Sequence, residues 1–258
     1  LHPNLPKHLL LNLLLSIGAF ACKAQDSLTD FKLPKPIKLD VLTSMKLWAT
    51  YYHIHAFKSG GQILIVLNTD SLSGLYADTC DFCKAALEGT AFVTDDNGKR
   101  VVINYASTND TNYVDCRTCK RYKNCKLNVE RWGRTKWIIT DGYGNGVQQY
   151  KLVPFRTIAV DQKKIPYGSV IFIPAIQGLK FDPGEGKQYV HDGYFFAGDT
   201  GSAIHDNHID IFTGTCEKNP FPTVIKPNET GIFDVYIITE TQTIVAMKKL
   251  HQHTKKTY

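Results

Sequence analysis

Gly198-Asp199-Thr200-Gly201-Ser202-Ala203-Ile204-His205-Asp206-Asn207-His208-Ile209-Asp210-Ile211-Phe212 is the stretch on which the reading of this chain turns. Its opening Asp-Thr-Gly spells a tight turn, because the Asp side chain bonds nearby backbone and the Gly tolerates a positive φ. Its close spells a short strand in which Ile209 and Ile211 alternate with Asp210. A period of two puts Asp210 on the face opposite the isoleucines. A carboxylate in an otherwise apolar strand is costly to bury unless it is paired or held neutral. A neutral carboxyl is what a general acid needs.

Two upstream runs extend the pattern: Ile158-Ala159-Val160-Asp161 and Ile165-Pro166-Tyr167-Gly168-Ser169. With aspartates at Asp161, Asp199 and Asp210, the ordered set resembles the three-aspartate (3D) domain, the catalytic barrel of the membrane-bound lytic transglycosylase A (MltA) family. The resemblance spans residues 155–214, with a fainter match at Ala49-Thr50-Tyr51-Tyr52. It implies an all-β fold, a six-stranded double-psi β-barrel with an inserted, cysteine-containing β-rich region. It implies cleavage of the β-1,4 bond of peptidoglycan between N-acetylmuramic acid and N-acetylglucosamine, leaving a 1,6-anhydro end. In that chemistry the C6 hydroxyl of the muramic sugar attacks its own anomeric carbon, so one carboxyl serves as acid and then as base, with no cofactor and no metal. Asp210 matches the family's catalytic aspartate. Asp199 matches the second, where two nearby carboxyls resist ionising together. Thr50, Tyr52, Thr90 and Thr200 are expected to line the groove. Asp161 joins them as a substrate contact, its plainer reading being a turn held by backbone hydrogen bonds.

The chain departs from the family pattern at Ser202-Ala203-Ile204-His205-Asp206, where Gly-Ala-Ile-Lys-Gly is usual. His205 replaces the lysine only when protonated, which implies a different pH dependence. Two other functions stay open. One is a two-carboxylate endoglycosidase on the same barrel, with Asp199 as base and water as nucleophile. The other is a non-catalytic module that binds peptidoglycan or another glycan.

The 258 residues allow one large all-β domain or two small ones, and a substantial core. The formal charge of +6 is mild and suits an anionic polymer. No dense Lys/Arg patch argues for nucleic acid. Lys7 and His8 precede an apolar run, Leu9 to Ala21, and small residues follow, so residues 1–24 read as an export signal. Cys22 is alternatively a lipid-carrying first residue after cleavage, which would attach the chain to a membrane. An exported monomer is expected, periplasmic, outer-membrane associated or secreted, with peptidoglycan strands as its partner.

Without Cys22 six cysteines remain: Cys80, Cys83, Cys116, Cys119, Cys125 and Cys216. An even count in an exported chain points to disulfides. The paired Cys-x-x-Cys spacings also suit a zinc ribbon, but residues 84–115 between them are too many for the usual spacing. Connectivity is not readable.

Residues 25–44 read as a linker and 45–250 as the barrel domain, with an insertion at about 70–145 and a disordered tail at 251–258. Within the insertion Asp95-Asp96-Asn97-Gly98 marks a hairpin. Arg131, Trp132, Arg134 and Trp137 offer a sugar-binding edge, against the alternative of a surface strand with a buried Trp. Ile244 to Leu250 suits a last strand or a short helix. His191-Asp192, His205-Asp206 and His208 raise a metal reading, but alternation puts His208 and Asp210 on one face and His205 in a turn, so solvated loop histidines are expected. His53 and His55 are read the same way. Ser202 lies in Gly-Ser-Ala rather than a Gly-x-Ser-x-Gly nucleophile elbow, so a serine hydrolase is not supported.

Overall fold

The computed structural model describes residues 30–39, 42–184, 186–226 and 229–253. The expected leader, Cys22, the start of the linker and residues 254–258 lie outside the described residues. No helix among those described is long and apolar enough to cross a membrane.

Strand β1 (Ser44–Tyr52) belongs to the barrel, after which the chain builds a lobe. The lobe contains β2 (His55–Lys58), the ribbon β3 (Ile63–Val66) and β4 (Leu72–Ala77), helix α1 (Thr79–Glu88), β5 (Thr90–Thr94), β6 (Arg100–Thr108), the short helix α2 (Val129–Trp132) and β7 (Thr135–Thr140). The chain then returns with β8 (Thr157–Ala159) and β9 (Val170–Phe172). A small ribbon follows, β10 (Lys180–Phe181) and β11 (Tyr189–Val190), and then β12 (Tyr194–Asp199), β13 (His208–Phe212), β14 (Phe233–Ile237) and helix α3 (Thr241–Leu250). Six strands close a barrel in the order β1-β13-β8-β12-β9-β14. The β1/β13 and β8/β12 pairs are parallel and the other four antiparallel. In the lobe β2, β5, β6 and β7 form a four-stranded sheet.

Inward residues of the short strands fill the barrel: Leu47, Ile158, Ile171, Phe195, Ile209, Ile211 and Val235 are all at most 1% exposed. Full burial of such side chains contributes about 1.5–3 kcal/mol each. The lobe has its own core around Ile65, Phe82, Val93, Ile103 and Trp137. A third cluster joins the two, with Phe212 and Tyr52 from the barrel, Phe92 and Val102 from the lobe, and Tyr143 between them.

The expectation of an all-β chain needs correction, since α1 and α3 are regular helices and the fold is mostly β. Helix α1 starts at Asp78, whose side chain accepts the Asp81 N–H, and stops at Gly89, which takes a φ of 79°. It buries Phe82, Cys83 and Ala85, a helical spacing that the surrounding polar residues obscure in the sequence. Disulfides Cys80–Cys119 and Cys83–Cys116 staple α1 to the turn at 116–119. They close nested loops, with sequence separations of 39 and 33; either bridge alone is worth about 3–4 kcal/mol in chain-entropy terms, and the second adds less because it then closes a much shorter loop. Cys125 is a free thiol. The start of the expected tail is ordered: His251 is fully buried, its Nδ1–H donating to the Met247 carbonyl.

Candidate active site

Strand register assembles the site. Asp199 of β12 pairs with Ala159 of β8, Ala159 pairs with Asp210 of β13, and Asp210 pairs with Thr50 of β1. One row across four adjacent strands thus reads Asp199, Ala159, Asp210, Thr50. The two aspartates lie two strand spacings apart, about 10 Å between backbones. Ala159 is the small residue that leaves space between them.

Asp199, Ala159 and Asp210 of this row line a groove of about 710 Å³ between barrel and lobe. The lobe contributes Glu88, Thr90, Asn104 and Trp132, and the loop after β7 contributes Asn145, Gly146 and Gln149. That loop packs close. A Cβ on Gly146 would stand 2.1 Å from the Gly198 carbonyl oxygen and 3.0 Å from Asp199 Oδ1, so only glycine fits. Asn104, 4% exposed, ties the walls together. Its Nδ2 donates to the Gly89 carbonyl and to Thr90 Oγ1, and its Oδ1 accepts from the Asn145 N–H at 2.7 Å.

Tyr52 Oη donates to Asp199 Oδ2 at 2.6 Å. Burial pushes the Asp199 carboxyl up to about 6, opposed by the Tyr52 bond and by the Thr200 backbone N–H. Burial also pushes Asp210 up to about 7; the Thr50 hydroxyl opposes this, and the charges of Glu88 and Asp199 add to it. Asp210 therefore keeps its proton close to neutrality and can deliver it into the groove.

Behind Asp210 the proton positions are coupled. Thr50 Oγ1 lies 2.8 Å from both Asp210 Oδ1 and His208 Nε2. A hydroxyl has one hydrogen to give. When Asp210 is ionised, Thr50 donates to it and His208 Nε2–H donates to Thr50. When Asp210 is protonated the chain reverses, with Thr50 donating to a bare Nε2. In that tautomer His208 Nδ1–H faces the Ala203 carbonyl at 3.4 Å. Burial lowers the His208 pKa and favours the neutral ring, which also stacks on Trp48 with centroids 3.7 Å apart.

Of the residues expected from the sequence, Asp210, Asp199, Tyr52, Thr90 and Thr200 line one groove. Thr50 touches Asp210 from beneath and opens onto a neighbouring pocket. Thr90 is 1% exposed, so its hydroxyl is a floor acceptor. Asp161 stands apart. Its carboxylate accepts from the Lys163 and Asp206 backbone N–H groups, which hold it below its usual range and pin one turn to the other. His205 is exposed and does not line the groove. The expectation of solvated histidines is otherwise corrected. His191 is fully buried, its Nε2–H donating to the Phe155 carbonyl and its Nδ1 accepting from Gly193 N–H. Asp192 pairs with Arg156. His55 Nε2 lies 2.7 Å from Asp81 Oδ1, and His53 is largely enclosed. No three metal-ligating side chains converge among the described residues. Trp137 is fully buried in the lobe core, off any sugar-binding edge, whereas Arg131 and Trp132 do line the groove.

Glu88 and Asn104 were not singled out in the sequence. Glu88 is the last residue of a helix that was not expected, and burial lifts its carboxyl to about 7. Asn104 directly follows the apolar run Val101-Val102-Ile103, a buried polar residue of the kind that signals a fixed network.

Residues 156–219 match the family model of the 3D domain. No curated protein sequence matches it. Among solved structures it is similar to Escherichia coli MltA with bound chitohexaose, at 14% identity and a TM-score of 0.48, covering 74% of this chain and 71% of that one. It is also similar to MltA from Neisseria gonorrhoeae, at 15% identity and a TM-score of 0.47, covering 75% of this chain and 72% of that one. A third is a membrane-bound lytic murein transglycosylase from Agrobacterium tumefaciens, at 15% identity and a TM-score of 0.45, covering 78% of this chain and 76% of that one.

Proposed function

We propose that this chain is a peptidoglycan lytic transglycosylase that cuts between N-acetylmuramic acid and N-acetylglucosamine with Asp210 as its acid and base. The observation that carries the reading is the row Asp199, Ala159, Asp210 in an open groove, with Thr50 hydrogen-bonded behind Asp210 and burial lifting the Asp210 carboxyl to about 7. Asp210 gives its proton to the glycosidic oxygen as the bond to C1 breaks. The C6 hydroxyl of the same sugar bonds to C1 and returns its proton to Asp210, so no water is consumed and the carboxyl is regenerated. Asp199, held by Tyr52, adds negative charge where the anomeric carbon becomes cationic. Thr50 and Thr200 position the two carboxyls, while Tyr52 and Thr90 shape the groove. A substrate contact by Asp161 has no support from its position outside the groove lining.

The same reading includes a double-psi path for the barrel, the lobe as an insertion within it, and action on peptidoglycan strands outside the cytoplasm by a monomer. The chemistry needs neither cofactor nor metal.

Digestion of purified sacculi followed by mass spectrometry tests it. Anhydro-muropeptides are the expected products. Reducing-end sugars would make water the nucleophile and Asp199 the base. No release from a folded protein that still sediments with sacculi would leave a binding module.

The pH profile follows from the site. Raising pH through about 7 takes the proton from Asp210, so activity falls on the alkaline side. Thr50→Val removes a hydrogen bond that favours the ionised form. That limb is expected to move to higher pH by about 0.7 pH unit, the equivalent of one bond of about 1 kcal/mol. An alkaline limb that stays in place in the variant would separate Thr50 from the acid.

A further inference from the structure

Past Thr50 and Glu88 a second pocket of about 620 Å³ opens between barrel and α1. It shares Tyr51 and Glu88 with the groove, so the two adjoin. Its lining includes Lys84, Arg121, Lys226 and His53, against Glu88 and Glu217. Lys84 precedes Glu88 by one turn of α1 and shares its face.

The cations here are under-used. The Lys84 side chain is 17% exposed, and its ammonium lies 3.8 Å from Glu217 Oε1, beyond hydrogen-bond reach, on a carboxylate that is itself 72% exposed. It makes no hydrogen bond among the described residues. Its Nζ is not among the fully buried polar atoms, so its three hydrogens are open to a ligand in the pocket. His53 Nε2 is buried without a hydrogen-bond partner and faces the same Glu217 oxygen at 3.6 Å. Lys226 Nζ donates to the Pro222 carbonyl at 2.8 Å, which leaves two of its hydrogens to give. Glu88 takes up a proton below about 7, so the remaining fixed charge is cationic.

We propose that this pocket binds a carboxylate of the peptide that the muramic acid of the strand carries, with Lys84, Arg121 and Lys226 as its donors. The ligand carboxylate takes the place of Glu217, whose exposed side chain can swing aside. The inference rests on the groove holding a peptidoglycan strand. It makes the lobe a selector for strands whose peptides are intact.

The test measures kcat and KM on strands with their peptides and on the same strands stripped by an amidase. It compares the native chain with Lys84→Met and with an Arg121→Met/Lys226→Met variant at the pocket's outer edge. The ratio of kcat/KM on peptide-bearing to stripped strands is expected to fall about tenfold in each, through KM, as for the loss of one charge-assisted hydrogen bond. An unchanged ratio in the variants overturns the pocket while the transglycosylase stands. A fall confined to kcat makes Lys84 a support for α1 and also overturns it. Native protein that cleaves neither substrate removes the underlying function, and the pocket's role with it. If Lys84→Met fails to fold, the outer double variant decides.

Discussion

Asp210→Asn is expected to leave the chain folded and to cut turnover on sacculi by about a thousandfold or more, the scale of a lost general acid. The amide keeps the shape of the carboxyl and an acceptor for the Thr50 hydroxyl, so the barrel row is undisturbed. It has no proton to give to a leaving oxygen. Stability provides the control, and its sign is opposite. With a folded value near 7 against an ordinary 3.8, the native state binds a proton that the unfolded chain lacks between about pH 4 and pH 7. Stability of the native protein therefore declines as pH rises through that window. The amide has no such dependence. The variant is expected to melt above the native protein at pH 8 and alongside it at pH 3.5, while remaining inactive at both. An inactive variant that also melts lower at pH 8 would mean damage rather than a lost acid. A variant that keeps its rate would move the acid to Asp199 or Glu88.

The carboxyl row was legible in the sequence because it depends on short-range order. Asp199 and Asp210 sit at opposite ends of one turn-strand unit, and Ile209-Asp210-Ile211 states by alternation which way the carboxyl faces. The hairpin of β5 and β6 was legible for a similar reason, through its Asn-Gly turn. What stayed hidden is long-range. Nothing local announces that Thr50 pairs with Asp210 across 160 positions, or that α1 faces the barrel so that Glu88 enters the groove. The cysteines announced disulfides but not their pairing, because either Cys-x-x-Cys could close on the other in more than one way. Histidines misled most. His191 and His251 read as polar loop residues, but each is buried neutral, with one ring nitrogen donating and the other accepting. Burial holds them at about 3 and about 4, a state that a sequence window cannot reveal.

Removing Asp192 is expected to damage the fold more than any change in the groove. Arg156, immediately before β8, is fully buried, and its guanidinium meets Asp192 through two bonds of 2.6 and 2.8 Å. It also donates to the Tyr194 and Asp30 carbonyls and lies over the Phe31 ring. Asp192 in turn accepts from the Leu33 and Tyr194 N–H groups. One ion pair thus fixes where β8 and β12 begin, and these strands carry Ala159 and Asp199 to the groove. Asp192→Ala leaves the guanidinium buried without its carboxylate, which costs about 3–5 kcal/mol. For a chain of this size that lowers the melting midpoint by about 10 °C. Replacing both partners, Arg156→Met/Asp192→Leu, is expected to cost clearly less than the sum of the two single changes, because no charge is then stranded. The pH dependence also has a defined sign. Burial pushes the Asp192 carboxyl up, but its bonds to Arg156 and the guanidinium charge outweigh this and bring it below its usual range. Its stabilising contribution is therefore present above about pH 4 and is lost as pH falls through the folded value. Urea unfolding at pH 7 and pH 3 measures both effects. A single variant as stable as the native protein at pH 7 would mean that backbone carbonyls alone suffice for Arg156, and that the two strands are registered by the barrel core instead.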